Sequence, residues 1–319
     1  MMKHIVTLTI CALTLPGMQA HAQQEGGTPT QALIAYESKT PATLTPANVA
    51  LKVDNRATAI ANLAPISASG TQVALLIDDG LRTSVGRELN NLRAFVTSLP
   101  QGTEIFIGYM ANGRVVPAGD LNGFTTDHAA AAQGLHIPAG VPGISASPYF
   151  CLSDFVKNWP GDAEGASAPQ QQPSHKARVV LMITNGVDPY NGSTSILNQD
   201  SPYVSAAVTD AQRAGVPVYS IYFTDAGFRG GRGSFSGQSY LSQLAQGTGG
   251  IAFYLGTGNP VSLAPFLNEF KGALAETYVA TFPVEENKKM VNLKLSTTLA
   301  KTKLRGPDQI RPGTVVISQ

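Results

Sequence analysis

The stretch VALLIDDGLRTSVGRELNNLRAF, from Val73 to Phe95, holds the pattern from which the rest of the chain is read. Its first five residues, Val73 to Ile77, are apolar without interruption, as expected of a central strand covered on both faces. The run stops at Asp78 and Asp79. Apolar residues then return at Val85, Leu89, Leu92, Val96 and Leu99, at spacings of four, three, four and three. Those spacings put one apolar stripe on a helix, which Pro100 ends. Strand, acidic turn and helix thus follow one another. The two aspartates are open to three roles: holding a divalent ion, acting in catalysis, or capping the turn by accepting backbone N–H bonds.

The same grammar continues to about residue 276. TEIFIGYM and GRVVPAG read as strands joined by Asn112-Gly113, a dipeptide that tight hairpins favour because both central residues take positive φ. TTDHAAAAQGL reads as a helix with a hydroxyl N-cap, and SPYFCLSDFVKNW as another. The strand ARVVLMIT, a helix around YVSAAVTDAQRAG, the strand VPVYSIYF and a glycine-rich loop come next. The helix SYLSQLAQGTGG, the strand IAFYL and a helix from about Pro260 to Glu276 complete the series. Such alternation predicts an α/β fold: a doubly wound, mainly parallel sheet with helices on both faces and right-handed crossovers. Its central strands are predicted to include Val73–Ile77, Val179–Ile183 and Val216–Tyr222.

The flanks read differently. Residues 23–49 are expected to form a flexible leader, because their Gln, Gly, Thr and Pro content shows little periodicity. Within 50–70, two short strands surround VDNR, and the tail from 277 to 319 alternates at period two in YVATFPV and MVNLKLSTT. The tail is expected to form a β-hairpin beside the strands before Ile66, giving a small β appendage built from the N- and C-terminal segments. Between them lies the α/β domain, 71–276, with a flexible insertion at 161–174.

The chain opens as an exported protein would. Lys3, the short apolar run IVTLTICALTLPG and the small residues of AHA predict a signal peptide over 1–22, cut after Ala22, and delivery to the periplasm, the envelope or the outside. Loss of Lys3 takes the 22 basic residues to 21, equal to the 21 acidic ones, a balance that argues against nucleic acid as a partner. No later run reaches the roughly 18 apolar residues of a transmembrane helix, so the mature chain is expected to have no membrane span. Cys11 leaves with the signal, and Cys151 alone remains, expected in the core.

In an open parallel sheet, ligands bind beyond the C-terminal ends of the strands. Asp78 and Asp79 end one strand, TNGVD (Thr184 to Asp188) ends another, and GISASPYF brings Ser145 and Ser147 to a helix start. Oxygen donors from three loops are the chemistry of Mg²⁺, Mn²⁺ or Ca²⁺. The order strand-Asp-helix, hairpin, FTTD helix, Ser-rich loop, strand-TNG, VYSIYF and LSQLAQGTGGIAFYL resembles a von Willebrand factor A (VWFA) domain. More narrowly, it resembles the secreted bacterial VWFA-related proteins, in which a short β tail follows that domain. The resemblance covers roughly Thr71 to Glu276 and the tail, and YLSQLAQGTGG with its aromatic strand is the most specific part.

That resemblance implies binding of a protein partner through a divalent ion at the sheet's C-terminal edge, with Asp78, Ser147 and Asn185 as the metal ligands. The chain departs from the family at this site. The frame Asp-x-Ser-x-Ser reads Asp78-Asp79-Gly80-Leu81-Arg82, without either hydroxyl, and Asn185 stands where the family has an Asp before Gly. Ser147 or Ser145 replaces the threonine, and a frame starting at Asp79 would take Thr83 or Ser84 with an altered loop. A guanidinium at Arg82 repels a divalent ion and is expected to pair with Asp78 or Asp79. Asp188 completes the candidates at this edge.

The sequence holds no nucleophile elbow, HExxH or P-loop, and its histidines lack metal-ligand spacing. The expected function is an exported, non-enzymatic protein-binding module with a degenerate metal-ion-dependent adhesion site. It is expected to need no cofactor, with Mg²⁺ or Mn²⁺ as the ion a working site would take. A structural or assembly component of an envelope or secretion system, independent of ions, is the alternative. A hydrolase using Asp78 or Asp79 as a base is the third.

Overall fold

The computed structural model describes residues 27–40, 42–138, 140, 147–162, 175–188, 201–224, 232–256 and 258–317, with backbone only at 232–235. The expected signal peptide and its cleavage site, Ser145, and residues 163–174 of the expected insertion lie outside these residues.

The first half of the described chain contains β1 (Thr28–Ser38), β2 (Val49–Val53), β3 (Arg56–Thr58), β4 (Asn62–Pro65) and β5 (Thr71–Asp78). A tight 3-10 segment (Asp79–Glu88) leads into α1 (Leu89–Thr97), followed by β6 (Glu104–Ala111), β7 (Arg114–Pro117), α2 (His128–Gln133) and α3 (Pro148–Lys157). Then come β8 (Ala177–Thr184), α4 (Pro202–Ala214), β9 (Val218–Tyr222), α5 (Arg232–Thr248), β10 (Ala252–Phe253) and α6 (Ala264–Ala275). The tail supplies β11 (Thr277–Val284), β12 (Val291–Thr297), β13 (Thr302–Arg305) and β14 (Gln309–Ile310).

The central sheet runs β10-β9-β8-β5-β6-β7, parallel except for β7. All three predicted central strands lie inside it, the third beginning at Val218 instead of Val216. Alternation along β5 explains why both faces are covered. Val73, Leu75 and Ile77 pack in the layer of α1, α2 and α6, whereas Ala74 and Leu76 pack in the layer of α3, α4 and α5. The fold is therefore a doubly wound α/β sheet with helices on both faces. The predicted helical stripe is buried at all five positions, although the turns before Leu89 are 3-10 and are interrupted at Arg82. Asn112 and Gly113 take φ of 51° and 79°, as the β6–β7 hairpin requires.

Residues 28–38 correct the expected flexible leader. They form β1, an eleven-residue strand between β13 and β11. Its register with β11 runs from Thr28↔Val284 to Ala35↔Thr277. Thr30 to Ala35 are buried in unbroken succession, and a strand covered on both faces shows no period of two. Its two polar residues are satisfied by the far end of the chain: Thr30 Oγ1 accepts from Gly313 N–H at 2.9 Å, and Gln31 Oε1 accepts from Val316 N–H at 2.8 Å and Ile317 N–H at 2.9 Å.

The tail also departs from expectation. β11 and β12 do not pair as a hairpin but belong to two sheets, β13-β1-β11-β4 and β14-β12-β2-β3. These share a core containing Ile34, Leu51, Phe282, Leu293 and Ile310. β11 has two apolar faces to bury: Val279 joins the α/β core, and Ala280 and Phe282 join the sandwich. A single hairpin would leave one of them in water. The expected neighbours are right, since β11 pairs with β4 and β12 with β2. Three smaller corrections concern ends: Asp127, not a hydroxyl, caps α2; β10 is only two residues long; and α6 begins at Ala264.

Cys151 lies on α3 with no exposed surface, and burial pushes its thiol up to about 12. Burial on this scale makes β1 testable. Ile34→Ala should cost about 2–5 kcal/mol of stability in a denaturant melt, the usual cost of truncating a core side chain. An unchanged melt would show that β1 behaves as the leader first expected.

Candidate functional site

Strands β5 and β8 end side by side near the middle of the sheet. Ile77 is in register with Ile183, so the next residues, Asp78 and Thr184, are neighbours at the C-terminal edge. Asp78 is only 5 % exposed. Thr184 donates its hydroxyl to Asp78 Oδ2 at 2.6 Å, and Gly80 N–H donates to Oδ1 at 2.9 Å, which caps the 3-10 segment. Thr184 Oγ1 in turn accepts from Gly186 N–H at 3.1 Å, and Gly186 C=O accepts from the Tyr149 hydroxyl at 2.7 Å. One chain of hydrogen bonds therefore ties the ends of β5 and β8 to α3. Gly186 has φ of 65°, and an added Cβ would run into α5, so glycine is needed there.

Four of the remaining candidates are occupied locally. Asp79 Oδ1 accepts from Gly140 N–H at 3.0 Å. Ser147 is fully buried as the N-cap of α3, where its Oγ accepts from Tyr149 N–H. Asn185 Oδ1 accepts from Val187 N–H at 2.9 Å. Asp188 is buried and accepts from the Ser201 hydroxyl at 2.6 Å, next to the start of α4. Thr83 is exposed. Arg82 is half-buried with φ of 52°, a backbone region that a side chain disfavours. The ion pairs within the described residues include none between Arg82 and Asp78 or Asp79, contrary to the expected pairing.

The structure brings Asp78 together with Thr184 and Tyr149, neither of which the sequence reading proposed. A hydroxyl in strand register with a buried carboxylate is the signal that would have found Thr184. His128 and His136 bond to the backbone carbonyls of Thr103 and Gly134.

The candidate oxygens at this edge are hydrogen-bonded within the chain. Both Asp78 oxygens are used by neutral donors, and the oxygens of Ser147 and Asn185 are turned to backbone N–H groups. Among the described residues, no group of three or more His, Cys, Asp or Glu is placed to hold a metal. A hard cation is held by several oxygens, preferably charged ones.

Two ionisations here are displaced. Burial raises the Asp78 carboxyl above its ordinary 3.8, against the lowering by Thr184 and Gly80, and Asp79 adds to the rise. Burial also pushes the Tyr149 hydroxyl well up, with smaller contributions from Asp188, Tyr240 and Asp78. The Asp78 shift has a defined sign in stability. The folded state takes up this proton at a higher pH than the unfolded chain does. Stability is therefore lost as pH rises from about 3.8 through the folded value, and the loss is complete above it. Asp78→Asn, which stays neutral, should melt higher relative to wild type at neutral pH than in acid. The gap should shrink as pH falls toward 3.8. A gap that widens on acidification would contradict the burial argument.

Fold and site together define a doubly wound α/β domain carrying a β-sandwich, with a closed hydrogen-bonded apex at the sheet's C-terminal edge. A von Willebrand factor type A protein from Catenulispora acidiphila is similar in structure, with a TM-score of 0.42 and 11 % identity, covering 91 % of this chain and 75 % of its own. Proximal thread matrix protein 1 of the mussel byssus follows at 0.41 and 16 %, over 67 % of this chain and 48 % of its own. The pilus adhesin SpaC of Lactobacillus rhamnosus GG scores 0.41 at 10 %, over 88 % of this chain and 42 % of its own. Likeness at this level concerns overall shape and gives no residue a role. No family model and no curated protein sequence matches the chain.

Proposed function

We propose that the protein is an exported, non-enzymatic binding module that takes a protein partner at the C-terminal edge of its central sheet, without a metal ion. The observation that supports this most is a polar apex satisfied from within and accompanied by outward-facing apolar side chains. Val261 is fully exposed, and Leu255, Ile137 and Phe150 are also exposed. Leu255 follows β10, Val261 precedes α6, and Ile137 lies against Gly86 of the 3-10 segment. Phe150, in the first turn of α3, packs on Tyr203 in the first turn of α4 with ring centroids 4.5 Å apart. All four belong to segments at that edge, and large apolar side chains left in water mark contact surfaces when they gather.

Export rests on the pattern of residues 1–22, and the absence of catalytic activity rests on the missing motifs. No helix among the described residues is long and apolar enough to cross a membrane. The degenerate frame around Asp78 acts here as a preformed floor whose hydrogen bonds are already made, so a partner meets a rigid edge and little ordering cost.

The test is retention of a partner from an envelope extract of the producing cell on immobilised mature protein. Retention should be equal in excess EDTA and in Mg²⁺. It should be lost in the double variant Leu255→Asp, Val261→Asp, whose melting curve should match wild type because both side chains are exposed. Retention that requires Mg²⁺ would restore an ion-dependent site. Retention that survives the double variant would move the contact elsewhere and favour a fixed assembly role.

A further inference from the structure

A cleft of about 620 Å³ opens where the two parts of the molecule meet, between β10 and α6 on one side and the ends of β1 and β13 on the other. Its size falls within the range of ligand-binding clefts. Four successive residues, Ile251 to Tyr254, line it. Neighbouring residues of a strand point to opposite faces, so four in a row mean that the cleft borders the strand's edge. β10 is the terminal strand of the central sheet, with no strand on its outer side among the described residues.

Beside β10, α6 lines the cleft with one face. Phe266, Glu269, Gly272, Ala273 and Glu276 recur there at helical spacing. Gly272 sits within the helix without positive φ, and an added Cβ would meet no atom within 4 Å. Gly272 is exposed, so the surface of α6 is open there and a larger side chain would project into the cleft.

Charge says what enters. Glu37, Glu269 and Glu276 line the cleft with one cation, Arg305, whose guanidinium already binds Glu37 at 2.7 Å. Burial, and then the Glu37 charge, hold the Glu276 carboxyl above the usual range, as expected of a carboxylate short of a counter-charge. Aromatic rings stand beside these carboxylates, including the stacked pair Phe253 and Phe266. Carboxylates next to aromatic faces recognise an organic cation on an apolar stem. An unpaired strand edge recognises an extended main chain. We propose that this cleft docks an extended segment of another protein, its main chain alongside β10 and a Lys or Arg side chain directed to Glu269 and Glu276. The cleft is lined by other residues than the apex, so this assignment stands whether or not the apex binds a partner.

Fluorescence anisotropy on the mature protein tests it, with a fluorescein-labelled peptide Thr-Val-Lys-Val-Thr and its counterpart bearing norleucine for lysine. The lysine peptide should bind saturably. Norleucine, or the isosteric pair Glu269→Gln and Glu276→Gln, should weaken binding about tenfold or more, the scale of a lost charge-assisted hydrogen bond. Gly272→Leu should abolish binding by filling the floor, while Gly272→Ala should keep it and melt no lower than wild type. Three results would each overturn the assignment: no saturable binding by wild type, equal binding of the two peptides, or undiminished binding by the carboxamide pair. Should Gly272→Leu fail to fold, the carboxamide pair decides alone. n-Butylammonium should not compete with the peptide; competition at equal concentration would overturn docking of a protein segment and leave a small-cation site.

Discussion

The carboxyl of Asp78 is buried at the end of the central strand, and the apex is organised around satisfying it. A carboxylate taken from water without partners is too costly to retain, so donors must be brought to it. Gly80 supplies one from the turn that follows, and Thr184 supplies the other from the neighbouring strand. The Thr184 hydroxyl then holds Gly186, and Gly186 holds Tyr149. Each bond contributes only about 0.5–1.5 kcal/mol net, but breaking one would leave a buried polar group unpaired, which costs more. That asymmetry fixes the ends of β5 and β8 and the start of α3 in one arrangement.

A second constraint comes from the chain ends. β1 enters between β13 and β11, so the first strand and the tail close into one sheet. One face of that sheet packs on the α/β unit through Leu33 and Val279, and the other forms the sandwich core through Ile34 and Phe282. Because α6 runs directly into β11, the helix is held between the two parts. The acidic cleft lies at this junction. Glu37 comes from β1, Glu269 and Glu276 from α6 and Arg305 from β13, so the cleft exists only once both ends of the chain are in place.

The central sheet was legible in the sequence because burial on both faces leaves long apolar runs, unbroken at Val73–Ile77 of β5 and Val179–Ile183 of β8 and interrupted only by Ser220 in β9. The α1 stripe and the Asn112-Gly113 turn were legible for equally local reasons. β1 was not. Its flanks have the composition of a leader, and Gln31 reads as a solvated residue until Val316 and Ile317 arrive to donate to it. Alternation in the tail announced strands but could not say that β11 and β12 lie in different sheets, since pairing is decided by partners far away in sequence. At the apex, capping by Asp78 and Asp79 was one of the readings left open. Thr184 depended on strand register, which one sequence does not show. Arg82 was expected to neutralise the aspartates because it fills a ligand position of the family frame. In the structure Asp78 is satisfied by Thr184 and Gly80 instead.

The central proposal is that the apex needs no ion. Titration calorimetry of Mn²⁺ and Mg²⁺ into the mature protein, with melting curves in either ion and in EDTA, tests it most directly. An ion bound only by the folded state must raise the melting temperature. The account predicts no saturable heat and coincident melting curves. Saturable binding that raises the melting temperature, and that disappears in Asp78→Asn, would contradict it.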